Sequence, residues 1–148
     1  MGSSPYWYYV AYEDDKNNAL NKLRQREFEA GRYNPVIAFP EFPVTDKTES
    51  PGKGHKTIAD ALEEAETDGT RSILDLEQVS DEDDLCIARI LNKDELMEYF
   101  KTERPTKEII EKNRDNFLFD IDRGKGFCIT VYANEIPAEL FFIGYSFD

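Results

Sequence analysis

The chain has 148 residues, of which 40% are hydrophobic and 13% aromatic, so it is long and apolar enough to bury a core and too apolar for a disordered polymer. Its 18 Lys and Arg against 31 Asp and Glu give a formal net charge of -13. This balance argues against nucleic-acid and membrane partners, because polyanions and anionic lipid surfaces are bound through basic patches.

The cysteines and the hydropathy pattern bear on location. Cys86 and Cys128 do not form a C-x-x-C pair, so neither a zinc ribbon nor a thioredoxin-type motif is present. Both lie in apolar runs, which indicates buried free thiols and a reducing compartment. No stretch approaches the roughly 20 apolar residues of a membrane helix, and no signal segment is recognisable. We expect a cytoplasmic protein.

The first predicted element is a strand over residues 6–12, whose two faces are both apolar or aromatic. Such a strand is usually covered on two sides. We predict that Trp7 and Tyr9 are mostly buried. We also expect that at least one hydroxyl of the opposite face, which carries Tyr6, Tyr8 and Tyr12, reaches water or a polar partner.

A helix and an irregular segment follow. Asp14 or Asp15 is placed to cap a helix that runs to about Ala30, and Gly31 supplies the left-handed residue that ends it. Prolines and glycines then break regular structure and predict a Pro/Gly-rich loop at about residues 40–56. Between Tyr33 and Lys56 only residues 36–39, VIAF, resemble a short edge strand.

The middle of the chain predicts a helix followed by a hairpin. Thr57 has Asp60 three residues later and opens an amphipathic helix that ends before Gly69. Apolar and polar residues alternate over residues 72–79, which predicts a strand with one solvent-exposed face. We expect this strand to form a hairpin with residues 85–91.

The last part predicts two helices and a second hairpin. Asn92 and Glu95 have the spacing of a capping box. Thr106 is placed to cap another helix that extends to about Asp122. Residues 127–147 then read as two strands joined near the sequence NEIP.

This order of elements predicts an α+β fold. We expect a single globular domain over residues 1–148, with a largely antiparallel sheet of about five strands and three or four helices packed on it. No internal repeat or linker divides the chain into two cores.

The candidate ligand-binding residues are His55, Lys56 and Arg32. His55 is the only histidine, and it stands with Lys56 before a helix start, where backbone N–H groups can hold a small anion. The surrounding PGKGHKT does not satisfy the phosphate-loop pattern, because His55 and Ser50 occupy the glycine positions. The cationic group of Lys22, Arg24, Arg26 and Arg32 reads as a solvated helix face.

The acidic runs do not predict a metal or a catalytic centre. Residues 81–84 lack the glycine and the spaced ligands of a calcium loop. With 31 acidic residues, no carboxylate pair is singled out for acid–base work. We therefore predict no metal, no cofactor and no catalytic residue.

Two functions remain open besides a purely structural role in a larger assembly, which predicts a stable homo-oligomer. The first is an acidic intracellular protein-interaction domain, of the inhibitor, immunity or adaptor kind, that binds a basic protein; residues 51–105 carry 7 positive and 15 negative groups, a net charge of -8. The alternative is a small enzyme or an anion- or ligand-binding domain, with a site near His55 where the 45–56 loop meets the sheet. The sequence favours the first function and a protein that is not an enzyme.

Overall fold

The computed structural model describes residues 4–147, which form a five-stranded sheet with helices on both faces. In chain order the strands are β1 (Pro5–Ala11), β2 (Gln78–Ser80), β3 (Ile87–Ile90), β4 (Gly126–Ala133) and β5 (Ile136–Tyr145). The helices are α1 (Lys16–Ala30), α2 (Ile58–Glu64), α3 (Lys93–Phe100) and α4 (Lys107–Leu118), with a 3-10 turn at Ile73–Asp75.

The sheet has the strand order β1-β5-β4-β3-β2. The three long strands, β1, β5 and β4, are antiparallel, and the two short strands β3 and β2 continue the sheet in parallel. Asn134 and Glu135, both with positive φ, make the two-residue turn of the β4–β5 hairpin. The predicted α+β class, with a mostly antiparallel sheet and four helices, is confirmed.

The hairpin predicted from residues 72–79 and 85–91 is wrong. Ile73, Leu74 and Leu76 are all fully buried, so the segment does not alternate between core and solvent and turns as a 3-10 helix instead. Only three residues remain for β2. The connection over residues 81–86 brings the chain back along β2, so that β3 pairs with β2 in parallel. The shortness of β2 makes that brief return possible.

The two faces of the sheet bury two separate cores. Helix α1 covers the face that carries Tyr6 and Tyr8, which are 0% and 3% exposed. Helices α3 and α4 cover the other face, against which Trp7 and Tyr9 are only partly buried. Both side chains are nevertheless more than half buried, so the prediction that Trp7 and Tyr9 are mostly buried is confirmed, although the far side of the edge strand β1 is incompletely covered.

The predicted helix caps are confirmed. The Asp15, Thr57 and Thr106 side chains each accept a hydrogen bond from a backbone N–H three residues on, and Asn92 forms a reciprocal capping box with Glu95. The helix expected to reach Asp122 ends earlier, at Leu118.

The segment between α1 and α2 is irregular and folds back on the molecule. Residues 36–39 form turns, so the edge strand predicted there is absent from the described structure. The backbone N–H of Gly52 donates to the Ala30 carbonyl, and a Cβ at Gly31 would collide with the Gly52 carbonyl. Phe42 packs against Trp7 and Tyr8. The loop is thereby held beside the free edge of β1.

Candidate functional site

A cleft of about 670 Å³ opens where the loop meets the edge of the sheet, and we call it the β1 cleft. Its wall is formed by Trp7, Tyr8 and Tyr9 of β1, and residues of the 43–50 loop lie opposite. Three cationic residues line it: Arg26, Arg32 and Lys107. Its volume is in the range of small-molecule sites in proteins.

The cationic side of the cleft is built on a buried carboxylate. Glu27 of α1 is 0% exposed, and it accepts hydrogen bonds from Nε and Nη2 of Arg32 at 2.8 and 2.6 Å. Nη1 of Arg32 donates to Ser50 Oγ at 2.8 Å. The hydrogen bond to Glu27 raises the pKa of Arg32. Arg32 is therefore a fixed part of the wall that ties α1 to the loop.

Arg26 and Lys107 are the more accessible cations. Arg26 donates through Nε to Glu27 at 2.8 Å, and its side chain is 48% exposed. Among residues 4–147 no other hydrogen bond of Arg26 is found. The Lys107 ammonium lies 4.4 Å from the centre of the Tyr9 ring, in the position of a cation–π contact. Both side chains retain donors for a ligand.

The aromatic side of the cleft is held in place by its neighbours. The Trp7 ring has Phe42 at 5.7 Å on the loop side and the Arg114 guanidinium at 4.4 Å. The Tyr9 hydroxyl donates to Glu111 Oε2 at 2.6 Å. Burial, and then the bond to Glu111, raise the pKa of Tyr9. The two rings thus form a preorganised, partly exposed apolar surface.

The charges around the cleft set what it can bind. Asp46 and Glu139 also line it, so the cations are only partly in excess. An anionic group is favoured next to Arg26 and Lys107, the two cations that keep free donors. A flat apolar group can lie against Trp7 and Tyr9. The arrangement therefore suits a ligand that carries both features.

The predicted ligand-binding residues occupy two places. Arg32 lines the β1 cleft, whereas His55 and Lys56 are not among its lining residues. His55 Nδ1 and the Tyr33 hydroxyl form a hydrogen bond of 2.8 Å, and Nε2 lies 3.3 Å from Glu64 Oε2. The His55 side chain is 12% exposed, so it mainly joins the loop to α2. Lys56 lies at the surface.

The cationic group of Lys22, Arg24, Arg26 and Arg32 is only partly the solvated face that the sequence suggested. Arg24 donates through Nη2 to the Leu74 carbonyl, and burial lowers its pKa. Arg26 and Arg32 converge on Glu27. Lys22 behaves as expected, with a 68% exposed side chain paired to Glu13, and the Arg26 side chain is also 48% exposed.

Glu27 was missed as an organising residue, although the sequence contains a signal for it. It lies four residues after Leu23 and seven after Leu20, so helical spacing puts an acidic residue on the apolar stripe of α1. A buried acid on such a stripe requires a cationic partner. Arg32, five residues on, is the cation that the structure supplies.

Lys107 and the loop side of the cleft had no comparable signal. Lys107 is far from β1 in the sequence and reaches Tyr9 only because α4 packs across the sheet.

Over residues 4–147, no three His, Cys, Asp or Glu side chains are grouped so that they could hold a metal ion, and no helix there is long and apolar enough to span a bilayer. Both cysteines are free. Comparisons of the chain with protein-family models, with curated proteins and with solved structures found no match.

Proposed function

We propose that this protein is a binding domain, and that the β1 cleft holds a small ligand in which a carboxylate or phosphate is joined to a planar apolar group. The observation that carries this proposal is the placement of two accessible cations, Arg26 and Lys107, beside the partly exposed rings of Trp7 and Tyr9.

The rigidity of the cleft supports a binding role. Arg32 is fixed by three hydrogen bonds, to Glu27 and Ser50, and the Trp7 ring contacts both Phe42 and Arg114. Side chains that are ordered before a ligand arrives lose little conformational entropy when it binds.

The intrinsic fluorescence of Trp7 tests the proposal, because Trp7 is the only tryptophan of the chain. Phenyl phosphate and benzoate serve as probes, and benzyl alcohol is the uncharged comparison. We expect saturable fluorescence changes with the two anions and a weaker response to the alcohol. Equal responses to charged and uncharged probes would exclude an anion site.

Variants locate the site within the cleft. Lys107→Gln and Arg26→Gln each remove one accessible cation, and we expect each to weaken phenyl phosphate binding by about tenfold, which corresponds to roughly 1.4 kcal/mol. Lys112→Gln, on the same helix as Lys107 and exposed, is the matched control. If Lys112→Gln weakens binding as much as Lys107→Gln, the effect is general electrostatics.

A second candidate function is protein interaction through an acidic face. Four acids, Asp83, Asp84, Asp120 and Asp122, line one groove together with two cations, Arg89 and Lys125. Lys125 lies 3.0 Å from Asp83 and 3.8 Å from Asp122. Two large apolar side chains flank these acids, Leu85 at 52% and Phe119 at 84% exposure. An exposed apolar anchor among acids suits a basic protein partner.

A peptide array that spans acidic to basic sequences tests this second function. We expect binding that rises with positive peptide charge and falls with salt, and that decreases in Phe119→Ser. Ile136→Ser, at the β4–β5 turn and 65% exposed, is the control for loss of a surface apolar group. Salt-independent binding, or equal loss in both variants, would contradict an acidic interaction face.

The remaining expectations accompany both candidates. The predicted cytoplasmic location and the predicted lack of nucleic-acid binding rest on the free cysteines and the net charge of -13.

A further inference from the structure

A second cavity, of about 430 Å³, lies between α2 and the turn that leads into β2, and it shares no lining residue with the β1 cleft. Four acidic residues line it: Glu63, Glu66, Asp75 and Glu77. Its described lining contains no Lys, Arg or His. We call it the Asp75 cavity.

The buried wall of this cavity contains an unsatisfied carboxylate oxygen. Asp75 is 3% exposed. Its Oδ1 accepts hydrogen bonds from the backbone N–H and the hydroxyl of Thr70, both at 2.8 Å. Its Oδ2 is buried and has no hydrogen-bond partner among residues 4–147. A buried acceptor without a partner is costly, so a donor from outside the chain would be bound favourably.

Glycine at position 69 leaves room beside this oxygen. A Cβ built on Gly69 would lie 2.8 Å from Asp75 Oδ2, and the positive φ of 78° also favours glycine there. The apolar part of the cavity wall is formed by Leu62, Ala65 and Phe147. A long side chain with an apolar stem and a charged end matches such a wall.

One cation inside the protein offsets part of the acidic charge. Burial raises the pKa of Asp75, and hydrogen bonds from Thr70 and the Arg71 backbone, followed by the charge of the nearby Arg24, oppose that rise. Arg24 is bound to the Leu74 carbonyl and does not line the cavity. The four lining carboxyl groups therefore outnumber this single cation.

We infer that the Asp75 cavity binds the cationic side chain of an arginine or lysine that belongs to a protein partner. This inference rests on the second proposed function, the acidic interaction face, and names the group that the partner inserts. The guanidinium or ammonium donates to Asp75 Oδ2, and its charge is balanced by Glu63, Glu66 and Glu77 at the exposed rim.

The position of the cavity agrees with that role. Cys86 lines the Asp75 cavity, and its backbone N–H donates to the Gly124 carbonyl at 2.7 Å. The same two segments supply Asp83, Asp84 and Asp122 to the groove of the acidic face. One basic partner can therefore contact the groove and place a side chain in the cavity.

N-acetyl-arginine amide is the probe, and N-acetyl-citrulline amide, its uncharged analogue, is the control ligand. Backbone NMR signals of Gly69 and Cys86 report the cavity, and the Trp7 indole signal reports the β1 cleft. We expect shifts at Gly69 and Cys86 with the arginine probe only, and at least about tenfold weaker binding of the citrulline probe. Equal binding of the two probes would overturn the inference.

Two sets of variants complete the test. Asp75→Asn removes the buried charge. A triple variant changes only exposed rim positions and replaces Asp75→Asn in the test if that variant does not fold; it combines Glu63→Gln, Glu66→Gln and Glu77→Gln. We expect about a tenfold loss of affinity for the arginine probe in each. A double change of exposed acids elsewhere, Glu98→Gln with Glu108→Gln, is the control and retains binding.

The outcomes separate the two proposals. If the triple variant binds the arginine probe as the wild type does, the cavity is excluded. If basic peptides still bind in a Phe119-dependent way in that case, the acidic face stands without the cavity. If neither the peptides nor the arginine probe binds, both fail.

Discussion

Glu27 and Arg32 form a two-point ion pair, at 2.8 and 2.6 Å, in which the carboxylate has no exposed surface. Removing one charge leaves the other without a partner at a poorly solvated position. We therefore expect Glu27→Gln to lower the free energy of unfolding by about 3–5 kcal/mol, measured by urea denaturation.

Glu29→Gln is the matched control, because Glu29 lies on the same helix and is exposed. We expect it to change stability by less than about 0.5 kcal/mol. Equal stabilities of Glu27→Gln and Glu29→Gln would show that the buried pair contributes nothing.

Two tyrosines of β1 provide an internally controlled comparison. The Tyr8 hydroxyl accepts a hydrogen bond from the buried Ile73 N–H at 3.1 Å, whereas the buried Tyr6 hydroxyl has no partner among the described residues. Tyr8→Phe orphans a backbone donor, and we expect it to cost about 1–3 kcal/mol.

Tyr6→Phe removes an unsatisfied polar group, so we expect it to be neutral or stabilising in the same urea experiment. The opposite order of the two variants would contradict the hydrogen-bond assignments at both hydroxyls.

Glu95 should make stability depend on pH in a defined direction. Its hydrogen bond with Arg89 is the main cause that lowers its pKa below the ordinary value of 4.5. The stabilisation that Glu95 contributes to the folded state is therefore complete above that value and is lost as the pH falls through the lowered pKa. We expect Glu95→Gln to cost about 1 kcal/mol at pH 7 and the difference from wild type to shrink below pH 4.

Chemical unfolding at a series of pH values measures this effect. Glu98→Gln, on the exposed side of the same helix, is the control. A stability difference for Glu95→Gln that stays constant down to pH 3 would exclude the linkage.

Cys86 should react slowly despite its partial exposure. Burial, followed by the charge of Glu77 and a hydrogen bond to it, raises the pKa of Cys86 to about 11. Since the thiolate is the reactive form, we expect iodoacetamide alkylation at pH 8 to be roughly a hundredfold slower than for an unperturbed thiol. Peptide mapping separates Cys86 from the buried Cys128.

Glu77→Gln should accelerate this alkylation, and Glu82→Gln, which lies outside the contacts of Cys86, should not. An alkylation rate of Cys86 that levels off near pH 9 would contradict the raised pKa.

Local signals in the sequence were sufficient for most of the elements. Helix caps depend on residues a few positions apart, and so the starts of the four helices were predicted, from Asp14 or Asp15, Thr57, Asn92 and Thr106. The β4–β5 hairpin was predicted for the same reason. Apolar residues on both faces of β1 correctly indicated cover on two sides.

Features that depend on distant contacts were not predictable. Asp75 lies in a segment whose apolar and polar residues alternate as in a half-exposed strand. It is nevertheless buried, because Thr70 donates hydrogen bonds to one of its oxygens. The parallel pairing of β2 with β3 was not predicted, because β3 is placed in the sheet by its pairing with β4, which comes much later in the chain. Lys107 enters the β1 cleft only through the packing of α4.

The pairing of β1 with β5 has a consequence for how the chain is made on the ribosome. β1 lies at the edge of the sheet and has no other strand to pair with, so it must wait until residues 136–145 have been synthesised. At about 5–20 residues per second that wait is on the order of ten seconds. During this interval the aromatic strand is unpaired, and we expect a nascent chain that stalls before β5 to be prone to aggregation.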